Sequence, residues 1–392
     1  MRVETLQITW LDDDGQPQHA DWRSLAGHPP PAQVVLADAA LSADAAHRLA
    51  EQGTGLLWRG DYQNARHLLQ ALGRRIDAAA LSQGRRRVDA RPGQRAPAPG
   101  SLTEVFQTQR ALQARRARIL GQLLLPFDAD HGLPLRRAPD VRAAGEQAHG
   151  PVGAHYVASL RELLGLVGAF EWRKKGVPIP ALGASIHSHH GVFSPVRGEY
   201  VDLVAQAPLP AAALRDGAFD IGTGTGVLAA VLARRGLRVV ATDLSAAALA
   251  CAADNLHRLG LAGAVSLQSA DLFPAGRAGL VVCNPPWVPA PAHSALDAAV
   301  YDPDSRMLRG FLAGLAAHLA PGGEGWLILS DLAEHLGLRP RTALLGWMAG
   351  AGLRVLGRID TRPRHRKAVD AGDALHAARS GEVTSLWRLG AA

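Results

Sequence analysis

Residues 217–236, GAFDIGTGTGVLAAVLARRG, pass from an apolar β-type run, through three alternating glycines, into an alanine- and leucine-rich stretch with helical spacing. The pattern reads as strand, tight turn and helix, because Gly222, Gly224 and Gly226 let the backbone turn sharply and approach a ligand with no Cβ in the way. A glycine turn alone is weak evidence, since several nucleotide folds share it. The segments C-terminal to it narrow the reading. LRVVAT (237–242) is a second strand, ending at Asp243, about twenty residues past the glycines, where an acid at a strand's carboxyl end accepts from both ribose hydroxyls. SAAALACAADNLHRLG then reads as a crossover helix capped by Ser245. AVSLQSA is a third strand, and Asp271, Leu272 and Phe273 beyond it offer an acid and an apolar pair to an adenine amine and ring. From about residue 192 to the end, short β-branched runs alternate with helical segments, which predicts a doubly wound α/β fold around a parallel sheet.

Two cofactor classes fit that frame. A nicotinamide enzyme carries G-x-G-x-x-G, which cradles a pyrophosphate at a helix N-terminus. Here the spacing is G-x-G-x-G, with Gly222, Thr223, Gly224 and Gly226 following Asp220; a carboxylate at that place repels a pyrophosphate and suits an ammonium. S-adenosylmethionine has no phosphate and carries an amino-acid tail and a positive sulfonium, so it fits better. The expected cofactor contacts are therefore this turn with Asp220, then Asp243 with Leu244, then Asp271 with Leu272.

The fourth strand of this series, AGLVVC (278–283), stops at NPPW, residues 284–287, on the edge where doubly wound sheets bind ligands. A planar NH2 nitrogen has its lone pair delocalised into a carbonyl or ring and is a poor nucleophile. Accepting both its protons, with the Asn284 side-chain oxygen and the Pro285 carbonyl, pulls the nitrogen toward tetrahedral geometry and aims its lone pair at a methyl group. Pro285 and Pro286 stiffen the acceptors, and Trp287 offers a stacking face. Placement of this kind is worth roughly 7 to 11 kcal/mol in favourable cases. A proline-rich turn that merely closes a strand is the plain alternative, and the glycine turn and two acids upstream weigh against it.

The 392-residue chain is too long for one ordinary core, and its 47% hydrophobic and 20% charged residues suit globular domains rather than disorder. We expect a small α/β module over 1–82, with AQVVLAD and TGLLWRG as strands and DYQNARHLLQALGRRI as a helix capped by Asp61. A basic linker follows over 83–101, QGRRRVDARPGQRAPAPGS, then a mainly helical substrate-recognition region over 102–191 and the sheet domain over 192–392. No apolar run approaches roughly eighteen residues, the N-terminal segment lacks the pattern of a signal peptide, and Cys251 and Cys283 cannot build a disulfide framework or a zinc knuckle. The expectation is a cytoplasmic protein with no membrane partner. The net charge of +7 points weakly to an acidic partner and somewhat more to arginine-rich composition.

Over about residues 192–389 the motifs FDIGTGTG, TDLS, ADLF and NPPW resemble, one after another, the class I S-adenosylmethionine-dependent methyltransferases of the release-factor glutamine methyltransferase type. GVFSPVRGEYVDLV is similar to that family's loop and helix before the first strand. The resemblance implies a seven-stranded sheet whose last two strands, about GLRVLGRID and VTSLWRL, pair antiparallel. It also implies that Asp220, Gly222 and Gly224 line the methionine end, Asp243 the ribose and Asp271 the adenine. Pro195 and Glu199 would lie near cofactor and substrate, and Asn284 with Pro285 at the acceptor amine. The sequence departs from that family in three places: Trp287 stands where it has tyrosine, the N-terminal half is longer than its compact helical bundle, and TRPRHRKAVDAGDALHAARSGE is a basic insertion between the last two strands.

Weaker constellations are read plainly. His187, His189 and His190 have no acidic or cysteine ligand near in sequence and read as a loop bordering the site rather than a metal centre. Cys283 reads as buried packing, not a nucleophile. The partner is expected to be a macromolecular substrate, first a protein glutamine side chain. Its rival is an exocyclic base amine in ribosomal or transfer RNA, presented unpaired, which the basic linker and insertion favour. A small-molecule acceptor and a cofactor-binding protein without turnover are the further alternatives.

Overall fold

A computed structural model describes residues 6–88, 100–196, 198–292, 294–363 and 372–392. The chain divides into two units, residues 1–100 with 107–171, and residues 101–106 with 172–392.

The first unit is built on a six-stranded mixed sheet. Strands β1 (Gln7–Leu11) and β2 (Pro17–Trp22) form an antiparallel hairpin. β3 (Val34–Ala37) leads to α1 (Ala43–Glu51), whose N-terminus is capped by the Ser42 side chain on the Ala45 amide. β4 (Gly55–Trp58) leads to α2 (Tyr62–Val88), where the Asp61 carboxylate accepts the Gln63 N–H at 2.8 Å. Then come α3 (Leu102–Leu120), β5 (Leu123–Phe127), α4 (Arg142–His149), β6 (Tyr156–Ser159) and α5 (Leu160–Lys175). The strand order is β1-β2-β6-β5-β4-β3.

This arrangement corrects the expected division of the N-terminal half. β5 and β6 arise in the stretch read as helical and sit in the middle of the same sheet as β1 to β4, so the module and the helical region are one unit. LLLPF and YVAS are apolar and buried on both faces, and such runs have no periodicity to separate a strand from a buried helix. Of the expected linker, residues 83–88 continue α2, and 89–99 lie outside the described residues, as do residues 364–371 of the basic insertion.

The second unit also begins earlier than residue 192. The hairpin of β7 (Val177–Ile179) and β8 (Ala184–Ile186) sends Val177, Ile179 and Ile186 into its core. After α6 (Glu199–Gln206) and α7 (Ala211–Asp216), strands and helices alternate: β9 (Ala218–Ile221), α8 (Val227–Arg234), β10 (Val239–Asp243), α9 (Ala246–Arg258), β11 (Val265–Ser269), β12 (Ala278–Cys283). The short α10 (Ala295–Ala298) and α11 (Arg306–His318) precede β13 (Leu319–Ser330). They are followed by α12 (Leu332–His335), α13 (Arg341–Gly350), β14 (Leu353–Thr361), α14 (His376–Ser380) and β15 (Thr384–Ala391).

The sheet has the order β11-β10-β9-β12-β13-β15-β14. Its first five members are parallel; the last two strands, β14 and β15, pair antiparallel as anticipated, and β15 is antiparallel to β13 as well. Both faces are covered: along β12, Leu280 and Val282 join one apolar cluster while Val281 and Cys283 join the other. All six residues of β12 are buried, the continuous apolar run that a two-sided core demands. Gly279 is required by a close approach, since a Cβ there would lie 2.1 Å from the Ala212 backbone of α7.

Candidate functional site

Strand register alone gathers the predicted residues. β9 is the first strand of the seven-stranded sheet in sequence and lies centrally, with β10 on one side and β12 on the other, so the strand order reverses beside it. Ile221, its last residue, pairs with Thr242 of β10 and Cys283 of β12. The next residues, Gly222, Asp243 and Asn284, therefore leave one carboxyl edge as neighbours. Asp243 in turn pairs with Ser269 of β11, which brings Ala270 and Asp271 to the same rim.

The glycine turn is held from below. The amides of Gly222 and Thr223 both donate to the Thr242 carbonyl, at 2.9 and 2.8 Å. The Asp243 carboxylate accepts the Gly224 amide on one oxygen and the Ser245 amide on the other, each at 2.9 Å, and Asp243 lines the cleft. Each oxygen keeps acceptor capacity for hydroxyls. At Gly222 φ is +72°, a left-handed conformation that favours glycine, and a Cβ would press on the mobile end of the Met307 side chain.

The rim opens on a cleft of about 700 Å³. Asn284, Pro285, Pro286 and Trp287 form one wall; Gly222, Thr223, Gly224, Asp243, Leu244, Asp271 and Leu272 form another. Trp287 packs against three apolar clusters and donates its indole Nε1–H to Asn284 Oδ1 at 2.9 Å. Leu244 is 66% exposed, a large apolar side chain on the cleft wall with no core to join. Leu272 holds a left-handed backbone, φ +77°, its carbonyl accepting the Thr242 hydroxyl at 2.6 Å. Such strain in a non-glycine residue is concentrated at functional sites.

Four predicted residues do not line this cleft. Asp220 is only 1% exposed and lies beneath the turn, where one carboxylate oxygen accepts the Thr223 hydroxyl at 2.6 Å and the Ala229 amide at 3.0 Å. Gly226 sits at the N-cap of α8, Pro195 is buried in the preceding loop, and Glu199 opens α6. Its neighbour Tyr200 faces the cleft instead. Burial raises the Asp220 pKa to about 6, and the nearby Asp243 charge adds to the effect. The carboxylate thus takes the place at the α8 N-terminus that a phosphate would need, which corrects how it discriminates: it disfavours a pyrophosphate from behind the turn, not from the cleft wall.

Other lining residues had no signal in a single sequence. Phe193 comes from the loop after β8, and Arg306, Met307 and Gly310 come from α11. Arg306 donates to the Asp271 carboxylate at 3.1 Å across the cleft wall. The buried Asp302 anchors α11 by accepting the Met307 and Leu308 amides. The loop 187–193 is fastened to α9: Asp254 accepts from Arg173 at 2.8 Å and from His189 Nε2 at 3.2 Å. Burial works against the Asp254 charge, but those bonds and Arg258 outweigh it and draw its pKa down to about 2. His187 Nδ1–H donates to the Arg173 carbonyl. Cys283 is fully buried, and its thiol is pushed well above its ordinary range, so it is no nucleophile.

The cleft fits S-adenosylmethionine. Its size lies within the roughly 300–1,000 Å³ range of small-molecule sites, two acids with acceptor capacity stand at the rim, Leu244 supplies an apolar face, and the glycine turn leaves no Cβ in the way. Fold and site together resemble those of the class I S-adenosylmethionine-dependent methyltransferase domains. Residues 183–340 match the family described as methyltransferase small domain.

Among curated proteins the chain resembles the release factor glutamine methyltransferase of Cereibacter sphaeroides, at 35% identity over 37% of this chain and 56% of that protein. It is similar to the ribosomal RNA small subunit methyltransferase C of Alcanivorax borkumensis, at 34% identity over 28% of this chain and 30% of that protein. It also matches the ribosomal protein L11 methyltransferase of Pelotomaculum thermopropionicum, at 48% identity over 30% of this chain and 32% of that protein. The chain spans about half the length of the release-factor enzymes it matches. No helix among the described residues is long and apolar enough to cross a membrane.

Proposed function

We propose that the protein is an N-methyltransferase acting on a planar amide or amino nitrogen of a macromolecule, with a protein glutamine side chain as the first acceptor. The observation that carries this reading is the register that sets Asn284 beside Gly222 on one edge of the sheet. S-adenosylmethionine, when bound, supplies an activated methyl group on a sulfonium. Thr223, Gly224, Asp243, Leu244, Asp271 and Leu272 would hold it, with Asp220 supporting from behind.

The chain's own residues then do the rest. Asn284 Oδ1 accepts one acceptor N–H and the Pro285 carbonyl the other, which localises the nitrogen lone pair and aims it across the cleft. Prolines 285 and 286 fix the backbone of these acceptors before substrate arrives, so little reorganisation is left for the reacting complex. Trp287 excludes water and offers the flat group a face. A proton leaves the nitrogen once the new bond forms; the two oxygens bonded to it are too weakly basic to keep it, and it passes to solvent.

A second reading keeps the chemistry and makes the acceptor an exocyclic base amine of RNA. The net charge of +7 and the similarity to a ribosomal RNA methyltransferase favour it. Methyl-labelled cofactor, incubated with the full chain and with protein and RNA fractions of a cell extract, separates the two. Label that survives nuclease and is lost to protease supports glutamine; the converse supports the base. Label in neither fraction would remove both.

A further inference from the structure

The carboxamide of Asn284 has two ends of equal size and opposite character, and only one of them serves the proposed chemistry. An oxygen facing the acceptor pulls on its N–H; an NH2 facing it would repel that N–H and leave the lone pair delocalised. Nothing in the shape of an amide chooses between them, because the ends differ only in hydrogen bonding.

Here the choice is made by Trp287. Its indole N–H is donor only, and it lies 2.9 Å from Asn284 Oδ1, so the amide must turn its oxygen to the ring. That oxygen has two lone pairs, and the bond to Trp287 uses one. The indole is itself held, packed against three apolar clusters while one edge stays on the cleft wall. The two prolines between donor and acceptor fix φ at both intervening residues, so closing the bond from residue 287 to residue 284 orders little more chain.

We propose that Trp287 is a positioning residue that locks the Asn284 amide with its oxygen toward the acceptor, a task separate from stacking on it. This rests on the acceptor role proposed for Asn284. Phenylalanine keeps an aromatic face and cannot hold the amide; an aspartate at 284 has two equivalent oxygens and needs no holding.

Two readouts on the full chain test it. In ¹⁵N-labelled protein, the Trp287 indole signal, identified by its loss in Trp287→Phe, should move upfield and exchange faster with solvent in Asn284→Leu; an unmoved signal overturns the proposal. For transfer of labelled methyl to whichever extract fraction is modified, Trp287→Phe should lower the saturating rate about tenfold while cofactor half-saturation moves less than about twofold. Made in Asn284→Asp, the same replacement should cost less than about twofold. Equal losses in both backgrounds would mean that the ring acts by stacking or folding alone and would sink the proposal. If wild type labels neither fraction, or Asn284→Asp is silent, the indole signal decides by itself; only the first of these also removes the proposed function.

Discussion

Asp220 keeps a carboxylate where little water reaches, beneath the turn whose floor it supports. Burial has moved its pKa from 3.8 to about 6, which carries a signed consequence for stability. The folded chain holds this proton more tightly than the unfolded chain, so the contribution is fully present below pH 3.8 and is lost as pH rises through about 6. A shift of this size corresponds to at most about 3 kcal/mol. Denaturant midpoints of wild type and Asp220→Asn, compared between about pH 4 and about pH 7, should show wild type losing ground as pH rises. Parallel profiles would mean that the buried carboxylate is not the titrating group. The sequence showed an acid before a glycine turn and correctly favoured a cofactor without phosphate. It could not show which way that acid points, because the partners that turn it inward, the Thr223 hydroxyl and the Ala229 amide, are engaged only once α8 forms.

In the sheet domain α7 packs closely against β12, where Gly279 lets backbone meet backbone. Gly279→Ala should destabilise the second unit by more than about 3 kcal/mol, a cost that side chains cannot relieve by changing rotamer. Thermal melts should show it as a loss of several degrees or of soluble protein altogether; an unchanged melting point would contradict the packing. The same elements explain what was legible. β9 to β12 and their crossover helices announce themselves through alternation, glycine and capping serine, and the antiparallel β14 and β15 were expected from the resemblance. β5 and β6 were hidden because uniformly buried runs carry no period. Phe193, Arg306 and Met307 reach the cleft through tertiary placement, and nothing local in sequence marks them as lining rather than packing; Tyr200 and Glu199 both read as possible substrate contacts, and only Tyr200 lines the cleft.

Each of the two units carries its own sheet and core, and the methyltransferase match, residues 183–340, covers only part of the second unit. The +7 charge of the full chain gives a way to read the acceptor class from solution behaviour. Binding to RNA releases counterions and weakens steeply with salt, whereas docking of a protein acceptor through apolar contacts does not. With glutamine as the acceptor, half-saturation for the labelled fraction should change less than about threefold between low and physiological salt. A loss of one or more orders of magnitude would favour the base amine.

In the proposed reaction the Asn284 amide, set beside the glycine turn by strand register, prepares the acceptor nitrogen and does not hold the cofactor. Asn284→Ala, with methyl transfer and cofactor affinity measured on the same sample, tests this division of labour. The transfer rate should fall by about a hundredfold or more while the dissociation constant for S-adenosylmethionine stays within about twofold. Transfer at the wild-type rate, or a cofactor affinity that falls along with the rate, would contradict it.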